Sequence, residues 1–139
     1  MDYFNYRNQD LYAEDTKILD IVSKIKPPFY LYSSQTLARH YKIFAEALKF
    51  SDKLICFAVK ANSNLAVLKV LANLGAGADV VSQGEIYKAI KAGIPPEKIV
   101  FSGVGKTSEE IEYGLKQNIL QFNCESIEEI RNIDRKSTR

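Results

Sequence analysis

The sequence is poor in the residues that build several common kinds of site. It has two cysteines and one histidine among 139 residues, and its formal net charge is only +2. Because the cysteines lack the spacing of a metal site, we interpret them as reduced core thiols of a cytoplasmic protein. The balanced charge gives no reason to expect a nucleic-acid or membrane-surface partner. The lone histidine, His40, falls on a predicted helix with no serine placed near it, so we expect a surface residue rather than a hydrolase triad.

Long apolar segments are also missing. The longest apolar run is far too short to span a bilayer, and residues 1–7 lack the apolar core of a secretory signal. What the chain does have is 46% hydrophobic and 26% charged residues, the proportions of an ordinary soluble globular protein. Its length suffices for one domain with its own core.

The most informative stretch is residues 54–64, which read Leu-Ile-Cys-Phe-Ala-Val-Lys-Ala-Asn-Ser-Asn. Six apolar residues end at Lys60 and turn-forming residues follow, which predicts a strand over residues 54–59 buried on both faces. Because side chains alternate along a strand, we expect Lys60 to share a face with Ala58 and Cys56. The lysine would then lie at the carboxyl end of the strand, where α/β folds build their sites.

A lysine in that position can act as a nucleophile. Loss of solvation would lower the pKa of Lys60, and a neutral amine forms Schiff bases with carbonyl compounds, including pyridoxal phosphate. The competing interpretation is a lysine at a strand end whose charged head simply reaches solvent.

Asp79 is the second candidate site residue. It lies in a predicted strand between Ala78 and Val80, and burying a carboxylate in such apolar company is costly unless the carboxylate is paired. One interpretation is structural, with Asp79 accepting hydrogen bonds from loop amides. The other places Asp79 beside Lys60 on the adjacent strand, where its charge would hold and orient the Schiff-base nitrogen.

The order of elements predicts an α/β protein. Predicted strands begin at residues 54, 78, 99 and 120, and an amphipathic helix follows each one, as in the βα units of a parallel sheet. This spacing does not separate a barrel from an open sheet. Three of the helices open with a predicted capping box, in which a hydroxyl and a carboxylate satisfy N–H groups reciprocally. The pairs are Ser82 with Glu85, Thr107 with Glu110, and Ser126 with Glu129.

Three elements are predicted ahead of these units. A helix over residues 16–25 ends at Pro27-Pro28, and a short aromatic strand covers residues 29–32. A second helix runs from about residue 35 to residue 50, with Ser33 and Ser34 as N-cap candidates.

Residues 103–107, Gly-Val-Gly-Lys-Thr, invite a nucleotide-binding interpretation because they follow a predicted strand and open a helix. The phosphate-binding loop needs a glycine where this chain has Val100, inside the strand, so we reject a nucleoside triphosphate site. Gly105 and the N-terminus of the following helix remain able to attract an anion.

Residues 57–62 (Phe-Ala-Val-Lys-Ala-Asn) and 74–82 (Leu-Gly-Ala-Gly-Ala-Asp-Val-Val-Ser) closely resemble the diaminopimelate decarboxylases, which are pyridoxal-phosphate enzymes with an alanine-racemase-like barrel. The resemblance covers roughly residues 29–130 and implies a parallel (β/α)8 TIM-type barrel, of which about the first half is present. It implies that Lys60 carries pyridoxal 5'-phosphate, that Asp79 lines the cofactor site and that Ala58 lies beneath the cofactor. The implied reaction converts meso-2,6-diaminopimelate to L-lysine, in a cytoplasmic homodimer with an amino-acid substrate and no nucleic-acid or membrane partner.

The resemblance also suggests how the chain is organised. Residues 1–34 would precede the barrel, residues 35–130 would form its first four βα units, and residues 131–139 would be a polar, basic, solvated tail. Other residues that the family uses lie beyond Arg139, so we expect an N-terminal portion of a longer enzyme that is inactive in isolation. Two alternatives stay open: an ornithine- or arginine-type decarboxylase of the same fold, and a non-catalytic fragment that binds no cofactor.

Overall fold

The computed structural model describes residues 2–50 and 52–137. The chain divides into two compact units, and the division falls between Ala47 and Leu48 in the sequence. The first unit opens with a three-stranded antiparallel sheet in the order β1-β2-β3. Asn8 and Gln9, between β1 and β2, have positive φ angles of 49° and 70°, as a two-residue hairpin turn requires. The elements of this unit are β1 (Phe4–Arg7), β2 (Asp10–Ala13), β3 (Thr16–Lys17), α1 (Ile18–Val22) and α2 (Ser34–Ala47).

The start of helix α2 is closed by side chains. Thr36 donates its backbone N–H to Ser33 Oγ over 3.0 Å, which confirms the predicted serine cap. Glu14, from the turn after β2, accepts hydrogen bonds from Ser33 Oγ at 2.8 Å and from the backbone N–H of Gln35 at 2.9 Å. The Gln35 N–H and the Ser33 hydroxyl hold the pKa of Glu14 below its ordinary value.

Two predictions for this unit are wrong. Residues 29–32 form no strand, because aromatic composition alone supplies no hydrogen-bonded neighbour and none is found among the described residues. Helix α1 begins at Ile18 rather than at residue 16, since Thr16 and Lys17 instead pair with β2. The lone histidine, His40, is exposed on α2 as predicted.

The second unit contains the predicted βα units around a four-stranded parallel sheet in the order β4-β5-β6-β7. Each strand is followed by a helix, and short 3-10 turns occur at Val59–Ala61 and Pro96–Lys98. The strands are β4 (Cys56–Ala58), β5 (Gly77–Val80), β6 (Ile99–Phe101) and β7 (Gln121–Phe122), and the helices are α3 (Leu65–Asn73), α4 (Gln83–Lys91), α5 (Ser108–Lys116) and α6 (Ile127–Ser137).

One side of this sheet packs against the helices. Phe57 contacts the apolar core and Val59 belongs to it, as alternation along the first strand predicts. The core consists of Val59, Leu68, Ala78, Val80, Ile86, Ala89, Ala92, Ile94, Ile99 and Phe101. The other side carries the residues that register aligns with Ala58, namely Asp79 on β5, Val100 on β6 and Gln121 on β7. Helices cover the first side, so a site can form on the second, at the carboxyl ends of the strands.

Several predicted boundaries move. Strand β4 ends at Ala58, so Lys60 lies on the 3-10 turn and not on the strand. Helix α6 continues to Ser137, so residues 131–137 are helical rather than a loose tail, and Lys136 forms an ion pair with Glu112 of α5 at 2.8 Å. Residues 138 and 139 lie outside the described part of the chain.

The two cysteines differ from the prediction in one respect. Both are free, but only Cys56 is partly buried, whereas Cys124 is exposed because β7 ends at Phe122 and leaves it beyond the sheet. Among the described residues, no helix combines the length and apolar character needed to cross a membrane.

The predicted capping boxes divide into two kinds. At α5, Thr107 and Glu110 form the full reciprocal box. At α4 and α6 the cap hydroxyl accepts the expected backbone N–H, but the glutamate carboxylate reaches one residue further back. Glu85 accepts from the backbone N–H of Val81, and Glu129 accepts from that of Glu125.

Candidate active site

Polar side chains gather where the parallel strands of the second unit end. Lys60 follows β4, Asp79 is the third residue of β5, and Ser102 and Asn123 directly follow β6 and β7. Because carboxyl ends of parallel strands meet at one edge of a sheet, these residues share that edge. Asp79 lies in register with Ala58 on the adjacent strand, so these two side chains share one face of the sheet.

Lys60 is exposed, as is Asn123. Lys60 differs from the other members of the group in its contacts. It forms no hydrogen bond or ion pair with any residue that the structure describes. Ala58, two residues earlier at the end of β4, has a small side chain. The predicted loss of solvation is therefore not seen, because Lys60 projects from a turn and not from the strand itself. The amine is free to meet a ligand.

Asp79 accepts a short hydrogen bond from the Ser102 hydroxyl through its Oδ1. Ser102 Oγ in turn accepts a hydrogen bond from Asn123 Nδ2 at 2.9 Å. The carboxylate is thus bonded directly to Ser102 and only through Ser102 to Asn123, and not to loop amides as the structural interpretation of Asp79 had it. Sequence reasoning missed Ser102 and Asn123, although their positions immediately after two predicted strands were a usable signal.

The sheet face below Asp79 is kept small. Gly77 precedes Asp79 by two residues and pairs in register with Cys56. A Cβ at Gly77 would lie 2.4 Å from the carbonyl oxygen of Lys98 and 2.8 Å from Cys56 Sγ, so no side chain fits there. Burial, followed by the charge of Asp79, raises the pKa of the Cys56 thiol. This thiol is therefore held protonated beside the carboxylate.

Lys106, the lysine of the glycine-containing turn, points into the protein. Its Nζ donates to the backbone oxygens of Gly103 and Asn123, each at 2.7 Å, and to Glu129 Oε1 at 2.6 Å. The side chain is only 1% exposed and lies 5.5 Å from the ring centroid of Phe101. All three protons of the ammonium group are used, so Lys106 has none left for a phosphate.

The helix that follows this turn is also unsuited to an anion. The Glu110 carboxylate already lies at its N-terminus, where it accepts the backbone N–H groups of Thr107 and Gln83, both at 3.1 Å. A bound anion would meet that negative charge. The structure therefore argues against the anion site considered at Gly105.

Glu129 is the ion-pair partner of Lys106. Sequence reasoning predicted only its role in the cap of a helix. Burial pushes its pKa upward, but the N–H of Glu125 and the ammonium group of Lys106 outweigh burial and hold the pKa of Glu129 below its ordinary value. The Glu129 carboxylate is therefore ionised at neutral pH, and it forms an ion pair with Lys106 over 2.6 Å. The pair joins the loop after β6 to the start of α6, and so supports the edge where the candidate site lies.

The fold agrees with comparison to known proteins. Residues 34–139 match the family model described as the pyridoxal binding domain of the pyridoxal-dependent decarboxylases, so the chain belongs to that family. The match includes residues 131–139, which the sequence interpretation had set apart as a tail. The structure and the solved structures of related proteins together confirm the predicted barrel fold. The second unit of this chain supplies four consecutive parallel βα units of such a barrel.

Individual relatives are more specific. The chain is 46% identical over 135 residues to the diaminopimelate decarboxylase of Pseudomonas aeruginosa, covering 97% of this chain and 32% of that protein. It is 53% identical over 115 residues to that of Helicobacter pylori, covering 83% of this chain and 28% of that protein. The solved structure of diaminopimelate decarboxylase from M. jannaschii with L-lysine superposes with a TM-score of 0.94 at 35% identity, covering 99% of this chain and 33% of that one. The chain thus spans about a third of the length of the relatives that it matches.

Proposed function

We propose that this chain is the pyridoxal-binding part of a diaminopimelate decarboxylase, which converts meso-2,6-diaminopimelate to L-lysine. The observation that carries the proposal is Lys60, an exposed amine without a partner among the described residues, at the strand-end edge that also holds Asp79. Similarity to proteins named diaminopimelate decarboxylase, and to solved structures of that enzyme with L-lysine, supports the choice of substrate.

The residues present fit pyridoxal 5'-phosphate. The Lys60 amine is available for covalent attachment to an aldehyde, and the small side chain of Ala58 leaves room above the sheet. The Asp79 carboxylate, on the adjacent strand, supplies a negative charge that favours a protonated nitrogen nearby. When bound, the cofactor supplies the electron sink that accepts the electron pair left by loss of the substrate carboxylate.

Each of these residues has a separate task in the proposed reaction. Lys60 would hold the cofactor through its amine, which the substrate amine would displace. Asp79, with one carboxylate oxygen fixed by Ser102, would favour the charged form of a nitrogen beside it and orient it. Ala58 would lie beneath the flat aromatic ring of the cofactor. A small side chain is needed there because a larger one would clash with the ring.

The assembly and compartment belong to the same proposal. We propose that the full-length protein is a cytoplasmic homodimer, which the family resemblance and the two free thiols support. Sedimentation of the full-length protein at a mass of two subunits would bear this out, and a monomer at micromolar concentration would contradict it.

The test uses the full-length protein. After incubation with pyridoxal phosphate and reduction with borohydride, peptide mapping should find the pyridoxyl label on Lys60. Carbon dioxide release should be fastest with meso-diaminopimelate when ornithine, arginine and lysine are compared at equal concentration. Lys60→Arg should lose both the label and turnover, whereas Lys91→Arg, an exposed lysine of α4, should keep them.

Each alternative predicts a different result. Label on Lys91 or Lys106 would overturn the assignment of Lys60. Faster release from ornithine or arginine would replace the substrate while keeping the class of enzyme. Absence of any label on a folded, full-length protein would favour a fragment that binds no cofactor.

A further inference from the structure

The hydrogen-bonded chain that ends on Asp79 has a fixed direction. Ser102 carries a single hydroxyl proton and gives it to Asp79 Oδ1, since its oxygen already accepts a proton from Asn123 Nδ2. The orientation of the Asn123 amide is set in turn by Gln121 Nε2, which donates to Asn123 Oδ1 over 2.8 Å. Every donor in this chain therefore points toward the carboxylate.

The residues of this chain are held by the backbone as well. The N–H of Ser102 donates to the carbonyl of Val80 at 2.8 Å, and the N–H of Asn123 donates to the carbonyl of Phe101 at 2.9 Å. The carbonyl of Asn123 also accepts a hydrogen bond from the buried ammonium group of Lys106. Neither side chain needs to be ordered by a ligand, so the chain of hydrogen bonds is in place beforehand.

One carboxylate oxygen of Asp79 is thereby occupied and the other is not. Oδ1 holds the Ser102 proton, whereas Oδ2 takes no hydrogen bond from any residue that the structure describes. A hydrogen bond to one oxygen restricts rotation of the carboxylate group, so the second oxygen points in one direction. That is the arrangement expected of a group whose free oxygen has to meet a positive charge at a fixed place.

We infer that Ser102 and Asn123 are positioning residues, which act through Asp79 to orient the free carboxylate oxygen toward the cofactor nitrogen at Lys60. The inference rests on the proposed function, because it needs that nitrogen to be present. Removal of Ser102 leaves Asp79 able to rotate, and a rotated carboxylate stabilises the charged nitrogen less well.

The test compares Ser102→Ala with Ser102→Thr in the full-length enzyme. We expect Ser102→Ala to lower kcat about tenfold with little change in KM, since loss of one charge-assisted hydrogen bond shifts equilibria by about that factor. The visible absorbance band of the bound cofactor should also titrate at lower pH, because a misplaced carboxylate favours the protonated nitrogen less. Ser102→Thr retains the hydroxyl and should restore both values.

Two further comparisons separate a positioning role from a merely structural one. In an Asp79→Ala background, Ser102→Ala should have no additional effect on kcat or on the absorbance titration, because it acts through the missing carboxylate. Ser108→Ala is the matched control. Ser108 Oγ also accepts a hydrogen bond from an asparagine, Asn132 Nδ2 at 3.0 Å, but Ser108 lies outside the candidate site and does not bond Asp79. It should leave kcat and the titration unchanged.

The results can fail in distinguishable ways. If the unmodified protein shows no cofactor band and no turnover, the proposed function fails. If it shows both, and Ser102→Ala matches it in kcat and in the titration, only the positioning inference fails. Should Ser102→Ala not fold, Asn123→Ala alters an exposed residue and must produce a smaller shift of the same sign; an unchanged titration would overturn the inference.

Discussion

Two lysines follow parallel strands in this protein, and their surroundings are opposite. Lys60 lies on the turn after β4, exposed and without a partner among the described residues. Lys106 lies in the loop after β6, 1% exposed, with three oxygen atoms within 2.7 Å of its Nζ. The amine of Lys60 can therefore meet a ligand. The ammonium group of Lys106 instead spends its three hydrogen-bond donors on Gly103, Asn123 and Glu129 and so connects the loops that carry them.

A strand-end lysine is therefore not a functional residue by position alone. The glycine-containing turn around Lys106 also invites a ligand-binding interpretation in sequence, because it follows a strand and opens a helix. Its glycines instead let the chain turn so that the lysine reaches inward: Gly103 and Gly105 have φ angles of +90° and +72°. What separates the two is the presence of Glu129 and two carbonyl groups around one ammonium group.

The largest expected effect on stability comes from removing the buried cation. Lys106→Met should destabilise the full-length protein by about 3–5 kcal/mol, because the Glu129 carboxylate is left buried without its partner. Equilibrium urea unfolding measures the change. Lys116→Met, which breaks an exposed ion pair with Glu112 within α5, is the control and should cost less than about 0.5 kcal/mol.

A second substitution checks the cause. Glu129→Gln keeps an oxygen for the backbone N–H of Glu125 but removes the charge. Combined with Lys106→Met it should recover part of the lost stability, since no uncompensated charge remains. A double variant less stable than Lys106→Met alone would show that the hydrogen bonds, rather than the charge, dominate.

An intermediate effect is expected from pH. The pKa of Glu129 lies below its ordinary value, so its contribution to stability is present above the unfolded-state pKa and is lost as the pH falls through the folded-state pKa. The stability difference between the unmodified protein and Lys106→Met should therefore shrink as the pH falls from about 5 toward acid. A difference that stays constant over that range would mean that the pair is not the source of the stabilisation.

The smallest expected effect on stability belongs to the lysine assigned to the reaction. Lys60→Met removes an exposed, unpaired group and should change the free energy of unfolding by less than about 0.5 kcal/mol. The same variant should take no pyridoxyl label after borohydride reduction. A loss of stability as large as that of Lys106→Met would give Lys60 a structural role and weaken the comparison.

Much of the fold was predictable because its signals are local. Hydrophobic periodicity and capping residues located all four βα units, and β6 occupies the predicted residues 99–101. The hairpin at residues 4–13 was missed because its turn, Asn8-Gln9, lacks the glycine that usually marks such turns. Strand β7 is shorter than predicted. Helix α6 is longer than predicted, and its last turn forms an ion pair with Glu112 through Lys136, a contact distant in sequence that local signals do not show.

The candidate site was predictable only in part. Lys60, Ala58 and Asp79 were recognised from sequence, and register confirms that Ala58 and Asp79 are neighbours, while the roles of all three stay predictions. The contribution of Ser102 and Asn123 depends on which residues register brings together at the strand ends. The pairing of Lys106 with Glu129 spans 23 residues and involves a glutamate that also caps a helix.

The brevity of β7 has a consequence for how this chain can change in evolution. With two residues, Gln121 and Phe122, the strand has little backbone pairing to define its alignment with β6. A shift by one position would turn Phe122 away from Phe101, whose ring centroid lies 5.7 Å away, and would turn Asn123 toward the helices. Insertions or deletions within residues 117–120 should therefore be selected against, even though that connection is a surface loop of the kind that usually varies in length.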